Sequence, residues 1–319
     1  MFKFNYSKFN RVVTLTGLDT IVGFLPFFRG KVLKPRKSIR KIAKPKVVIV
    51  KSPRRDIELM VRRAFNILDG LSDIIGSDST ILIKPNVGFS YVEANTNPKV
   101  VEAVVKVVKE YNPRRIIIAE SAVRGSDTSY NFEITGLYNI ARKYNVDIVD
   151  LKRSGDIVTV ETYGLKLKTV KVYRLAYEAD VIISIPKLKR HVEAGVTISL
   201  KNMMGILPDS EKGRFHILDL HQCIVDLNTV FKPDIAVVDA LDVMAFTGPS
   251  HGEMIKANMI IVSKDAVAAD AIAALELFKL EGVKDPVREL YSVKHIVQAE
   301  RMGLGTANPE KINVIREVI

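Results

Sequence analysis

The chain has 319 residues, no tryptophan and one cysteine, Cys223. A single thiol excludes an internal disulfide and any cysteine-ligated zinc or iron–sulfur cluster held by one chain alone. Cys223 sits among apolar residues at helical spacing, which predicts a buried, inert thiol rather than a nucleophile. The Walker spacing Gly-x-x-x-x-Gly-Lys-Ser/Thr, the Gly-x-Ser-x-Gly elbow and the Gly-x-Gly-x-x-Gly fingerprint are missing too. Gly303-Leu304-Gly305 is too short to count as the last of these. No internal repeat is visible.

Acids are scarce at the N-terminal end. Residues 1–46 hold twelve lysines and arginines against Asp19 alone, so +11 of the net +12 lies there and the remaining 273 residues are nearly neutral. The sequence therefore divides into a basic arm, 1–46, and a body, 47–319. A polybasic arm suits nucleic acid, a ribosome or an anionic membrane, or packing on its own body. Within the arm, Val12 to Phe28 reads VVTLTGLDTIVGFLPFF. Its 17 residues reach only the lower limit for a spanning helix. Asp19 near its centre would cost roughly 3 kcal/mol in a bilayer. No small-residue cleavage site follows, so a secretory leader is not expected. An interfacial segment, or a strand and turn on the body, fits better. Abundant Ile, Val, Lys and Glu give a thermophile-like composition. The expected location is cytoplasmic, with peripheral membrane attachment as the alternative.

What is present is an alternation of apolar runs and helical periods. Val47–Val50, Ser79–Ile83, Arg115–Ala119 and Asp147–Leu151 read as strands. Between them, Asp56–Ile75, the stretch after Asn97-Pro98, and Phe132–Tyr144 read as helices. Asn97 is the expected N-cap, with Pro98 at the first helical position. That β-α-β-α-β-α-β order predicts a mainly parallel sheet with helices on both faces. Residues 157–172, turning at Tyr163-Gly164, predict an antiparallel hairpin excursion. Residues 208–214 read as a polar loop.

The stretch Asp180–Pro208, DVIISIPKLKRHVEAGVTISLKNMMGILP, carries the chemistry. The run Val181–Ile185 ends at Pro186, which cannot donate to a ladder. Lys187, Lys189, Arg190 and His191 follow directly. Ligands of open α/β sheets bind beyond the carboxyl ends of strands. Lys84, Glu120, Lys187 and Asp239 all fall at predicted strand ends, so they are expected to converge. Residues two apart on an extended chain share a side. That puts Lys187, Lys189 and His191 together, with Leu188 and Arg190 facing away. Asn86, Lys201 and Asn202 are further candidate ligand-binding residues. His216 and Asp219 are candidate ligands for a divalent metal.

Several segments, in order, carry a resemblance: IKPNVG (83–88), IIIAES (116–121), FEITGL (132–137), ADVIISIPKLKRH (179–191), VTISLKNMMGILP (196–208), VDLN (225–228), PDIAVVDAL (233–241) and SKDAVAADA (263–271). Over about residues 80–305 the chain resembles the family catalogued as domain of unknown function 362. Many members of that family carry ferredoxin-type cysteine motifs for iron–sulfur clusters, and this chain has none. The resemblance implies a fold and a site location; the family's activity is not established.

The expectation is then an α/β enzyme acting on a small molecule that carries phosphate or carboxylate. Lys84, Lys187 and Lys189 would neutralise its charge. Asn86 and Asn202 would orient it. His191 would shuttle a proton, and Glu120 and Asp239 would serve as acid/base groups or hold a divalent ion.

Overall fold

The computed structural model describes residues 31–36 and 42–319. Most of the basic arm, including Val12–Phe28, lies outside the described residues. Residues 32 and 33 form β1 (Val32–Leu33), which pairs in parallel with Thr159 and Val160.

The principal sheet is built from β2 (Lys46–Lys51), β3 (Thr80–Pro85), β4 (Arg115–Glu120), β5 (Asp147–Asp150), β8 (Val181–Ile185), β11 (Ile235–Ala245), β12 (Glu253–Ser263) and β13 (Asn313–Val318). Their order is β13-β2-β12-β11-β8-β3-β4-β5. Neighbouring pairs are parallel except the two made by β12, which runs against both β2 and β11. Side chains alternate between faces. Val47, Ile49, Leu82 and Ile117 enter one apolar cluster, while Val48, Val50, Ile81 and Ile116 enter the other. Both faces are thus buried, which is why these strands read as continuous apolar runs.

Helices cover both faces. α1 (Ile57–Ile67) and α2 (Pro98–Lys109) bury Met60, Phe65, Val100 and Val104 on one. The Asn97 side chain caps α2 by accepting from Lys99 N–H, with Pro98 in the first turn. Helix α3 (Leu137–Tyr144) follows a break at Gly136, whose φ of 74° suits glycine and splits the helix expected over 132–144. On the other face lie α6 (Leu220–Phe231), α7 (Ala266–Leu280) and α8 (Lys294–Arg301), with α4 (Ser199–Asn202) and α5 (Asp209–Leu218) before them.

Two expectations need correction. The expected loop over 208–214 is the first part of α5. Lys212, 6% exposed, anchors it by donating to the Ser121 carbonyl and hydroxyl at 2.9 and 2.7 Å and to the Ala122 carbonyl at 2.5 Å. The helix expected from Asp56 to Ile75 stops at Ile67, where Asp69 and Gly70 take positive φ.

The expected hairpin is β6 (Ile157–Glu161) with β7 (Thr169–Tyr173), antiparallel, forming a small sheet with β1. Asp226 of α6 fixes its turn. It accepts N–H bonds from Leu165, Lys166 and Leu167 at 2.7–2.9 Å.

Candidate functional site at the strand ends

The chain leaves β8 at Pro186 and continues as β9 (Lys187–His191), which folds back against β10 (Gly195–Thr197). β11 pairs first with β8 and then with β9, so Asp239 lies in register with Lys187. The segment is extended, as its sequence suggests. Leu188 is in the core. Arg190 lies over the Phe278 ring at 4.4 Å and forks onto Glu281.

Two buried lysine–carboxylate pairs form the floor. Lys84 Nζ donates to Glu120 Oε2 at 2.6 Å, with both side chains inaccessible or nearly so. It also donates to the Pro85 carbonyl at 2.7 Å and to Asn202 Oδ1 at 3.1 Å. Glu120 in turn accepts from Val87 N–H at 3.2 Å and Ser121 N–H at 2.8 Å. Asn202 closes the ring by donating to the Lys84 carbonyl at 2.9 Å and Ser184 Oγ at 3.0 Å. Burial holds the Lys84 ammonium below the ordinary lysine pKa, and Glu120 opposes that shift. Gly205 presses on this pair: a Cβ there would stand 1.9 Å from Glu120 Oε1. The second pair is Lys187 Nζ with Asp239 Oδ2 at 3.4 Å. Asp239 also accepts from Asn97 N–H at 2.8 Å and Leu241 N–H at 3.1 Å.

Lys189 differs from both. It is 1% exposed, and its Nζ donates to the Ala94 carbonyl at 2.7 Å and stands 4.8 Å over the Phe89 ring. Burial, then Lys201 and Lys187, holds its pKa well below the ordinary value. Across the β9–β10 ladder it faces Thr197, whose buried Oγ1 has no partner among the described residues. Directly opposed residues project to the same face. Lys201 of α4 completes the group, and burial pushes its pKa down to about 8. α4 is aimed by Asp270 of α7, which accepts from Ser199 N–H at 2.8 Å and Leu200 N–H at 2.9 Å.

His191 is 8% exposed, and its Nδ1 accepts from Glu193 N–H at 3.2 Å and Ala194 N–H at 3.1 Å. Burial, then Lys201 and Lys189, pushes its pKa down to about 2. The ring is therefore neutral at physiological pH, with Nδ1 as acceptor and the proton on Nε2.

Asn86 sits at the rim, its N–H donating to Thr96 Oγ1 at 2.9 Å and its buried Oδ1 without a partner among the described residues. His216 and Asp219 are used elsewhere. His216 Nδ1 meets Glu193 Oε2 at 2.7 Å, and Asp219 caps α6 by accepting from Gln222 N–H at 3.1 Å. Among the described residues, no three His, Cys, Asp or Glu side chains gather where they could hold a metal ion. Cys223 is buried, and burial raises its thiol to about 12.

Sequence reasoning missed Thr197, Gly205, Asp270 and His295. His295, on α8, is fully buried beside His221, with ring centroids 5.6 Å apart.

This is a mixed α/β protein with a large, mostly parallel sheet and a polar cluster at its strand ends. Residues 81–275 match the family described as domain of unknown function (DUF362), and the chain belongs to that family. A thylakoid-associated protein of the cyanobacterium Synechocystis sp. is 24% identical over 252 residues, covering 76% of this chain and 74% of that protein. Among solved structures, the lactate racemase apoprotein of Thermoanaerobacterium thermosaccharolyticum superposes with a TM-score of 0.43 at 17% identity. That match covers 66% of this chain and 53%, about half, of the other. Among the described residues, no helix is long and apolar enough to cross a membrane.

Proposed function

We propose that the chain binds a small anion, carrying phosphate or carboxylate, between Lys189 and Lys201, and acts on it as an enzyme. One observation carries the reading. Lys189 is a fully buried ammonium whose hydrogen-bond partner is a carbonyl, while Lys84 and Lys187 each meet a carboxylate. Glu120, the acid that favours the Lys189 charge, is already paired with Lys84, and a buried charge without a direct ion pair is costly, so a bound anion would supply one. Lys84 and Lys187 would then brace the site with Glu120 and Asp239, and ligand charge would fall to Lys189 and Lys201. Asn86 Oδ1 and Thr197 Oγ1 are unspent polar atoms for orienting the ligand. His191 would donate from Nε2 and stay neutral. Lys201, with a pKa of about 8, is the group that can give or take a proton near neutral pH.

The test is a thermal-shift series with inorganic phosphate and sulfate on the wild type and Lys189→Met. Binding at a hundred times Kd should stabilise the wild type by ~2.7 kcal/mol and leave the variant unmoved. Equal shifts in the two proteins would sink the proposal.

A second reading uses residues 1–46, whose +11 charge suits nucleic acid or an anionic membrane surface. A relative that is thylakoid-associated favours the membrane arm of it. Co-sedimentation of the full chain with anionic but not neutral vesicles, lost at high salt, is the expected result. No pelleting with either would remove the membrane form of this reading.

A further inference from the structure

The cover of Lys189 is a single loop, residues 86–97, whose two ends are joined. Thr96 N–H donates to the Asn86 carbonyl at 2.8 Å, and Thr96 Oγ1 donates at 2.6 Å to the Ile185 carbonyl at the end of β8. Asn97 N–H adds its bond to Asp239. Both ends are thus pinned to the strand ends, as in the compact surface loops that often carry function.

Between those ends, residues 89–95 are tied into one piece. The buried Asn95 side chain does this. Its Oδ1 accepts from Phe89 N–H at 3.1 Å, and its Nδ2 donates to the Phe89 and Tyr91 carbonyls at 2.7 and 3.1 Å. Ala94 N–H and Asn95 N–H donate to the Tyr91 and Val92 carbonyls at 3.1 and 3.0 Å. All of these bonds lie within the piece. Ser90 to Glu93 are exposed on its outer side, and Gly88 joins it to β3. The piece meets the body at Lys189, through the Ala94 carbonyl and the Phe89 ring. It meets the body again at His251, in the loop between β11 and β12. There Tyr91 stacks on the imidazole, with centroids 4.7 Å apart and planes 25° apart.

Lys189 is 1% exposed, so an anion reaches its ammonium only when this cover moves. The Ala94 carbonyl oxygen and an anion oxygen are the same kind of partner for that ammonium, an acceptor of its N–H. The charged one makes the stronger bond.

We propose that residues 89–95 are a lid, closed in the ligand-free protein by the Ala94 carbonyl standing in for an anion oxygen on Lys189. The inference rests on the anion-site reading and adds how the ligand enters. The lid hinges at Gly88 and between Asn95 and Thr96, and the Tyr91–His251 stack is its latch. The internal bonds of Asn95 let it swing as a unit on those few hinge residues. A closed lid lowers the apparent affinity of the site by the fraction of molecules that are open, so a weaker latch should raise it.

The chain has no tryptophan, so Tyr91→Trp puts its single indole on the lid, against His251. Inorganic phosphate should move the emission to longer wavelength and brighten it as the indole leaves the imidazole. The double variant Tyr91→Trp/Lys189→Met should not respond. His251→Ala should bind phosphate roughly two- to tenfold more tightly in thermal-shift titrations, the range that one aromatic stack accounts for. The wild type gives the same readout without the indole. With carbon-13-labelled histidine, phosphate should shift the His251 ring protons downfield as the Tyr91 ring moves off. Stabilisation by phosphate with no change at residue 91 or at His251 would overturn the lid and leave the anion site standing. No stabilisation by phosphate would remove both.

Discussion

Replacing Lys201 with methionine should make the ligand-free protein more stable. The perturbation keeps most of the aliphatic stem and removes the ammonium. Among the described residues no hydrogen bond holds that ammonium, and Glu193 favours its charge. Burial lowers its pKa from 10.5 to about 8. One pKa unit is worth ~1.4 kcal/mol, so the charge costs on the order of 3 kcal/mol below about pH 8. Relief of its repulsion with Lys189 adds to the gain. At roughly 2 °C per kcal/mol for a chain of this size, the melting temperature at pH 7 should rise by about 6 °C. The sign with pH follows from linkage. Between about pH 8 and ~10.4 the unfolded state holds a proton at Lys201 that the folded state has released. Wild-type stability therefore rises with pH across that window, by at most ~1.4 kcal/mol per unit. The advantage of the variant should be largest at neutral pH and shrink toward pH 10. Denaturant titrations of both proteins at pH 7 and pH 10 read this directly. A variant less stable at pH 7, or an advantage that does not change with pH, would refute the argument that Lys201 is a desolvated, uncompensated cation.

Glu120→Gln leaves the Lys84 ammonium buried without its partner and should cost about 3–5 kcal/mol at pH 7. Because Lys84 is already held below the ordinary lysine pKa, that cost should fall as pH rises, which chemical denaturation at two pH values will show. Gly205→Ala places a methyl 1.9 Å from Glu120 Oε1 and should destabilise by roughly 1–3 kcal/mol or more, measurable as a lowered urea midpoint. Asp226→Asn replaces an acceptor of three backbone N–H bonds and should loosen the 162–168 turn, seen as faster hydrogen exchange at Leu165–Leu167 with the main sheet unaffected.

The sheet was legible because both of its faces are buried, so Val47–Val50, Ile81–Ile83 and Val181–Ile185 appear as plain apolar runs. Asn97-Pro98 marked a helix start by local chemistry alone. Local reasoning failed where a distant group decided the outcome. The 208–214 stretch looks like loop because its glycine and charges suit one, yet Lys212 spends its donors on Ser121 and Ala122 of another element. The candidate site shows the same division. Strand ends brought Lys84, Glu120, Lys187 and Asp239 forward as candidates. Their pairing into two neutral couples depends on which strands are neighbours, and nothing within any one segment encodes that. His295 and Asp270 sit inside helices whose periodicity speaks only of burial. The role of Asp270 appears once α7 is packed beside α4, where it accepts from Ser199 and Leu200 N–H.

The placing of β2 has a consequence for how the chain assembles. Its sheet neighbours are β12 and β13, so Val50 pairs with Ile260 and Val48 with Ile315. During synthesis, β2 leaves the ribosome with neither neighbour yet made. The β3–β4–β5 segment, in contrast, holds strands that pair soon after they appear. Contacts this far apart in sequence carry the loop-closure cost that slows folding. The first strand of the body is thus an unpaired, apolar edge until residues 253–263 arrive, the kind of segment that chaperones shield. Stalled chains ending before residue 253 should remain open to protease near residues 46–51 while β3–β4 is protected, and early protection of β2 would contradict this order.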